Sequence, residues 1–454
     1  MLFGPTFEEM LRPDRIPSDV RARALRALEA TPLDPVNVHN ITWKDASGGV
    51  RHVLLPRELT GTRATIALMT GKWFPTGSHK VGAVYSILLE KQLSGETEPG
   101  RDTLVCPSTG NYGIGGAWVG PRMGYRSVVV LPEEMSAERF EKIRAYGAEV
   151  VATPGSESNV KEIFDKVWEL RRDPKNKILE QFSEFGNYRF HWHVTGNSAV
   201  DLAGELSRRG LGNGRIAAFV SAMGSGGTIA AGDRVKQVFP ESVTVGVEPV
   251  QCPTLYNAGF GSHRIEGIGD KHVTWIHNVL NMDLLCCVDD LECLKGLQLL
   301  QEGADLAAET VKAAPDGFRS LVGMFGVSAI CNILGAIKTS KHLGLREGDV
   351  VVTVATDAFD RYPSVLARLT RECGPMDREE ARRRVDLFRA QKTDWVLEGT
   401  REARRRWHNQ KYYTWVEQQG KTVAELRAQE DPGFWLGQQA RVVEIDSQVR
   451  ARRG

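Results

Sequence analysis

From residue 65 to residue 247 the chain repeats one pattern: a short aliphatic run, a turn, then apolar residues at helical spacing. Residues 65–69, 103–106, 127–131, 149–152, 216–220 and 243–247 read as strands, and 81–91, 114–123, 137–146, 160–170 and 199–207 as helices. The strands are apolar almost throughout instead of alternating, so both of their faces need cover. That demands parallel sheets with helices on either side, a doubly wound α/β architecture.

Outside this core the pattern changes. Residues 1–40 read as an accessory segment, in which Ser18 is placed to cap a short amphipathic helix through Val20, Ala24, Leu25 and Leu28. A strand is expected at 50–55 and another at 350–354, with mostly helix over 289–343 broken at 323–328. Met376 onward is rich in Arg, Glu, Gln and Trp, with helical spacing and no further β pattern. The expected division is a smaller α/β domain over 41–200, which lends some N-terminal strand to the larger one, the larger α/β domain over 201–374, and a helical extension over 375–454.

Composition excludes several classes. A net charge of +1 in 454 residues gives no electrostatic case for nucleic acid. The arginines of the C-terminal segment are interleaved with acidic residues, which suits a solvated helix face or a subunit contact. No apolar run is long enough for a membrane span, and Met1 to Arg12 lacks the basic-then-apolar order of a signal peptide. The seven cysteines form no CxxC pair, so neither a metal site nor a disulfide framework is expected, and buried thiols in a reducing cytoplasm are.

Three stretches carry chemistry. In Pro75-Thr76-Gly77-Ser78-His79-Lys80 a turn places Lys80 at the start of an apolar helix, where the dipole disfavours a cation. A lysine desolvated there has a lowered pKa and suits Schiff-base chemistry. Ser108-Thr109-Gly110-Asn111 follows a strand and offers hydroxyls, an amide and backbone donors to a carboxylate. Gly224-Ser225-Gly226-Gly227-Thr228 also follows a strand, and its glycines let successive N–H groups converge on a phosphate. It has neither the lysine of a P-loop nor the spacing of the dinucleotide fingerprint.

In that order on one scaffold, these motifs resemble the fold type II pyridoxal-phosphate enzymes, most closely the cysteine synthase-like family. The resemblance runs over about residues 31–365. It also rests on Thr31-Pro32-Leu33, Ser136-Ala137-Glu138-Arg139, Tyr146-Gly147-Ala148-Glu149, Val247-Glu248-Pro249, Ile265-Glu266-Gly267-Ile268-Gly269, Phe325-Gly326-Val327-Ser328 and Asp360-Arg361-Tyr362. It implies two doubly wound domains, pyridoxal 5'-phosphate as cofactor, a homodimer, and a small amino-acid substrate with sulfide or a thiol as second reactant.

The resemblance also assigns roles. Lys80 binds the cofactor as an internal aldimine and then takes the Cα proton. Asn111 bonds the phenolic oxygen of the cofactor, and Gly224, Ser225, Gly226, Gly227 and Thr228 hold its phosphate. Ser108, Thr109, Gly110 and Asn111 bind the substrate carboxylate, with Gln181 either joining them or satisfying its own loop. His79 either reaches the phosphate or is a packed histidine. Where the family places a serine against the pyridine nitrogen this chain has Asp357, which strengthens the electron sink if it faces the ring; otherwise Thr356 or Ala355 lines the site. The expected reaction is β-replacement through an aminoacrylate. Alternatives are β-elimination of the desulfhydrase or dehydratase type, and a cofactor-binding interaction protein that docks through its C-terminal extension.

Overall fold

The computed structural model describes residues 4–108, 110–155 and 160–453. Among them, eleven strands form two sheets. They are β1 (His52–Leu54), β2 (Thr65–Thr70), β3 (Thr103–Pro107), β4 (Arg126–Pro132), β5 (Glu149–Thr153), β6 (Asn176–Ile178), β7 (Ala218–Ala222), β8 (Val243–Pro249), β9 (Leu284–Val288), β10 (Val350–Ala355) and β11 (Val396–Glu398). The larger sheet runs β1-β2-β10-β7-β8-β9-β11 and the smaller β5-β4-β3-β6. The smaller sheet is parallel throughout. The larger is parallel except at its rims, where β1 lies antiparallel to β2 and β11 to β9.

Burial explains why the alternation is so regular. Every residue of β2, β7, β9 and β10 is buried, since helices cover both faces. Each valine removed from water there contributes about 2 kcal/mol, so the apolar runs specify the interior strands without any polar alternation.

Several elements differ from expectation. The short β6 sits inside what reads as a long connection, and β9 lies after the strand expected to close the series. β11 overturns the absence of β structure in the extension: it adds to the free edge of β9 with the register Val396 to Cys286. Ser18 does not cap its helix; it is the first helical residue, after Pro17, and makes no side-chain cap bond. The helix Asn111–Arg122 starts earlier than its apolar spacing suggests, because Ser108 Oγ accepts from Gly110 N at 2.8 Å and Gly113 N at 2.7 Å. One hydroxyl there satisfies two backbone donors.

The first and last helices among the described residues are fastened to each other and to the core. The last helix, Pro432–Arg453, packs on the helices Lys80–Ser94 and Phe185–Phe190. Its buried Asp446 accepts from Phe7 N at 2.7 Å and Glu8 N at 2.9 Å, capping the helix Phe7–Leu11. No helix among the described residues is long and apolar enough to cross a membrane.

Parallel strands bring their C-terminal ends to one edge. The connections after β2, β3, β6, β7 and β10 present, at this edge, Lys80; Ser108, Gly110 and Asn111; Gln181; the Gly224 loop; and Asp357 respectively. Small ligands bind at this edge of open α/β sheets.

Candidate active site

The cleft between the two sheets is lined by Lys80, Ser108, Gly110, Asn111, Gln181, Gly224 and Ser225, all singled out in the sequence. Tyr112, Phe182, Gly267 and Asp270 complete it. Thr109 lies outside the described residues.

Lys80 opens its helix after the turn at Gly77, whose φ of +70° suits glycine. The lysine is buried, and its Nζ donates to Ser225 Oγ at 3.0 Å. Asn187 Nδ2 donates to the same oxygen at 3.0 Å and to Gln181 O at 2.9 Å, so it ties the glycine loop to the loop after β6.

The glycines of that loop are sterically required. A Cβ on Gly226, where φ is +72°, would stand 2.5 Å from Thr274 Oγ1 and 2.8 Å from His277 Cβ. A Cβ on Gly227 would overlap Asn187 Oδ1. Close walls around bare backbone make a cradle for an anion instead of a site for side chains.

His79 is fully buried beneath this cradle. Its Nδ1 lies 3.0 Å from Thr356 O, which can only accept, so Nδ1 carries the proton. Nε2 then accepts from Thr228 Oγ1 at 3.0 Å. Burial, aided by the charge of Lys80, pushes the imidazole down to about 3 and keeps it neutral. Trp43 stacks on one side at 5.6 Å and His191 meets the ring edge-on at 4.9 Å. His191 thus packs against His79, and His79 supports the cradle through Thr228.

Asp357 faces inward and is fully buried. Its Oδ2 accepts from Asn111 Nδ2 and from Tyr362 OH, each at 2.6 Å. Arg139 and Arg361 both donate to Asn111 Oδ1, at 3.1 and 2.8 Å, and lie 3.9 Å from Asp357 Oδ2. Asp357 Oδ1 has no hydrogen-bond partner among the described residues. Thr356, the alternative residue for that position, is turned away, with its hydroxyl 2.8 Å from Ser328 Oγ.

Sequence reasoning missed Asn187, Thr274, His277 and Asp270. The first three have no local signature, because their roles come from packing against glycines distant in the chain. Asp270 immediately follows Gly267-Ile268-Gly269 and was legible as an acid at the end of a glycine turn.

Comparison with known proteins agrees with this geometry. Residues 70–357 match the family model described as pyridoxal-phosphate dependent enzyme. The chain is 32% identical to a cysteine synthase of Staphylococcus aureus over 330 residues, covering 72% of this chain and 96% of that protein. A probable cysteine synthase of Bacillus subtilis is 30% identical, over 70% of this chain and 95% of its own length. Among solved structures, the O-acetyl serine sulfhydrylase isoform 3 of Entamoeba histolytica superposes with a TM-score of 0.59 at 25% identity. That match covers 74% of this chain and 92% of the other.

The residues fit pyridoxal 5'-phosphate. The glycine cradle suits its phosphate, Lys80 is within reach of that cradle, and the unpartnered Asp357 Oδ1 suits a ring N–H. The chain belongs to the pyridoxal-phosphate dependent enzymes of fold type II, in the cysteine synthase-like family.

Proposed function

We propose that the protein catalyses β-replacement on a small L-amino acid, expelling a leaving group from Cβ and adding sulfide or a thiol there. The observation that carries this reading is the meeting of Lys80, the Gly224 loop and the Ser108 loop in one cleft. When bound, the cofactor supplies the electron sink that makes the substrate Cα–H acidic. Lys80 would hold the cofactor through Nζ, and its free amine would take the substrate Cα proton. Gly224, Ser225, Gly226, Gly227 and Thr228 present N–H and hydroxyl donors to the phosphate, with His79 orienting the Thr228 hydroxyl.

Asn111 would serve the cofactor's phenolic oxygen and Asp357 its ring nitrogen. Ser108, Thr109, Gly110 and Gln181 take the substrate carboxylate. Ser108 Oγ already accepts two backbone hydrogens, so its own hydrogen is left to donate. Relatives named as cysteine synthases support sulfide as the incoming nucleophile. Seven free thiols suit a reducing cytoplasm, and a homodimer is the assembly we assign.

The test is product analysis. The holoenzyme is incubated with O-acetyl-L-serine and sulfide, and L-cysteine is measured against pyruvate, while light scattering gives the mass. L-cysteine as the main product is expected; pyruvate and ammonia alone would replace this reading with a lyase.

A further inference from the structure

The cleft contains an ionisable group that the proposed chemistry does not yet use. Asp270 lines it together with Lys80, Asn111 and Ser225. Its side chain is buried, and Oδ1 has no hydrogen-bond partner among the described residues. A structural carboxylate at such depth normally has both oxygens satisfied.

The backbone beneath it is fixed. Thr254 Oγ1 donates to Asp270 O at 2.9 Å, Gly269 N donates to Met223 O at 2.8 Å, and His263 Nε2 lies 2.8 Å from Gly269 O. Oδ2 lies against the start of the glycine loop, 3.7 Å from where a Gly224 Cβ would stand. Burial pushes this carboxyl up to about 7, with Lys80 opposing and Glu180 reinforcing the shift. An acid that holds its proton near neutrality, faces a substrate cleft and has a free oxygen is equipped for proton transfer.

We propose that Asp270 delivers the proton to the group leaving Cβ, and that the site therefore accepts amino acids whose β-substituent is a hydroxyl or a thiol. This rests on the β-replacement reading above. Lys80 removes the Cα proton, and that electron pair becomes the second Cα–Cβ bond. The Cβ–O or Cβ–S bond breaks with its pair on the heteroatom, which takes the Asp270 proton and departs as water or hydrogen sulfide. When a thiol adds, its S–H proton returns to the Asp270 carboxylate as the new S–Cβ bond forms, and Lys80 returns its proton to Cα. Acetate is a stable anion and leaves with little assistance, whereas hydroxide and hydrosulfide are more basic and need the proton.

The test compares kcat/KM for L-serine, L-cysteine and O-acetyl-L-serine in wild type, Asp270→Asn and Asp270→Glu. For Asp270→Asn, the loss on L-serine and L-cysteine is expected to exceed the loss on O-acetyl-L-serine by about 10²-fold. Asp270→Glu should recover part of that selectivity. Cofactor content and substrate affinity, read from the visible spectrum, should match wild type in both variants. Equal losses on all three substrates in a variant with normal cofactor content would overturn the role of Asp270. A wild type that binds the cofactor yet processes none of the three would instead overturn the β-replacement reading.

Discussion

Asn111 Nδ2 donates to Asp357 Oδ2 at 2.6 Å, joining the loop after β3 to the end of β10 across 246 positions of sequence. The same oxygen accepts from Tyr362, and two buried guanidiniums converge on Asn111 Oδ1. The carboxylate therefore serves two purposes. It adds negative charge beside the two guanidiniums, and in the proposed function its second oxygen, unpartnered among the described residues, would take the cofactor's ring N–H.

Asp357→Ser removes one of the carboxylates beside Arg139 and Arg361. Arg139 keeps Glu266 and Arg361 keeps Asp360, but Asn111 Nδ2 and Tyr362 OH lose their charged acceptor. An unsatisfied buried donor costs about 1–3 kcal/mol, so the apo-protein should melt at a lower temperature. The visible spectrum of bound cofactor should shift as well. A variant with wild-type melting and spectrum would show that Asp357 does neither.

Gly227→Ala sets a methyl against Asn187, which holds Ser225 and Gln181 in place. Cofactor affinity should fall at least about 10-fold, equivalent to about 1.4 kcal/mol. Equilibrium dialysis against pyridoxal 5'-phosphate measures this, and an unchanged dissociation constant would rule out the cradle as drawn.

Lys411 links the C-terminal extension to the site. Its buried ammonium donates to Trp275 O at 3.1 Å, His277 O at 2.6 Å and Gln429 Oε1 at 2.6 Å. Burial lowers its pKa well below the usual value, while three acceptors call for all three ammonium hydrogens. Trp415 Nε1 donates to Val273 O at 2.8 Å in the same loop, directly after Asp270. Lys411→Met should cost about 3 kcal/mol and raise hydrogen exchange over residues 270–278. Unchanged exchange in that loop would mean that the extension does not support the site.

Much of this was legible beforehand and some was not, for physical reasons. Strands buried on both faces leave a continuous apolar run, so β2, β3, β7 and β10 stand out. β6 has only three residues. β11 is half-exposed and exists because the edge of β9 offers it hydrogen bonds. Lys80 and the glycine loop depend on local sequence and were readable. The contacts of Asn187, Thr274 and His277 depend on the packing of separate segments, which no local pattern encodes. The bond pairing Asn111 with Asp357 is equally long-range.

Acid sensitivity should have an identifiable source at His277. Burial, with help from Lys411, pushes this histidine down to about 3, against about 6.5 in the unfolded chain. Between those values the unfolded state binds the extra proton, so stability is full above pH ~6.5 and is lost as pH falls toward the folded pKa. From pH ~6.5 to pH ~5 that loss is about 2 kcal/mol. The stability of His277→Asn should therefore vary less with pH over this window than that of wild type. Parallel pH profiles would exclude His277 as a source.

Covalent trapping tests most directly whether Lys80 holds the cofactor. The protein loaded with pyridoxal 5'-phosphate is reduced with borohydride, digested and mapped by mass spectrometry. The expected result is a pyridoxyl group on the peptide that carries Lys80, absent from Lys80→Ala. A pyridoxyl group on another lysine, or none on a protein that carries the visible band, would contradict the account.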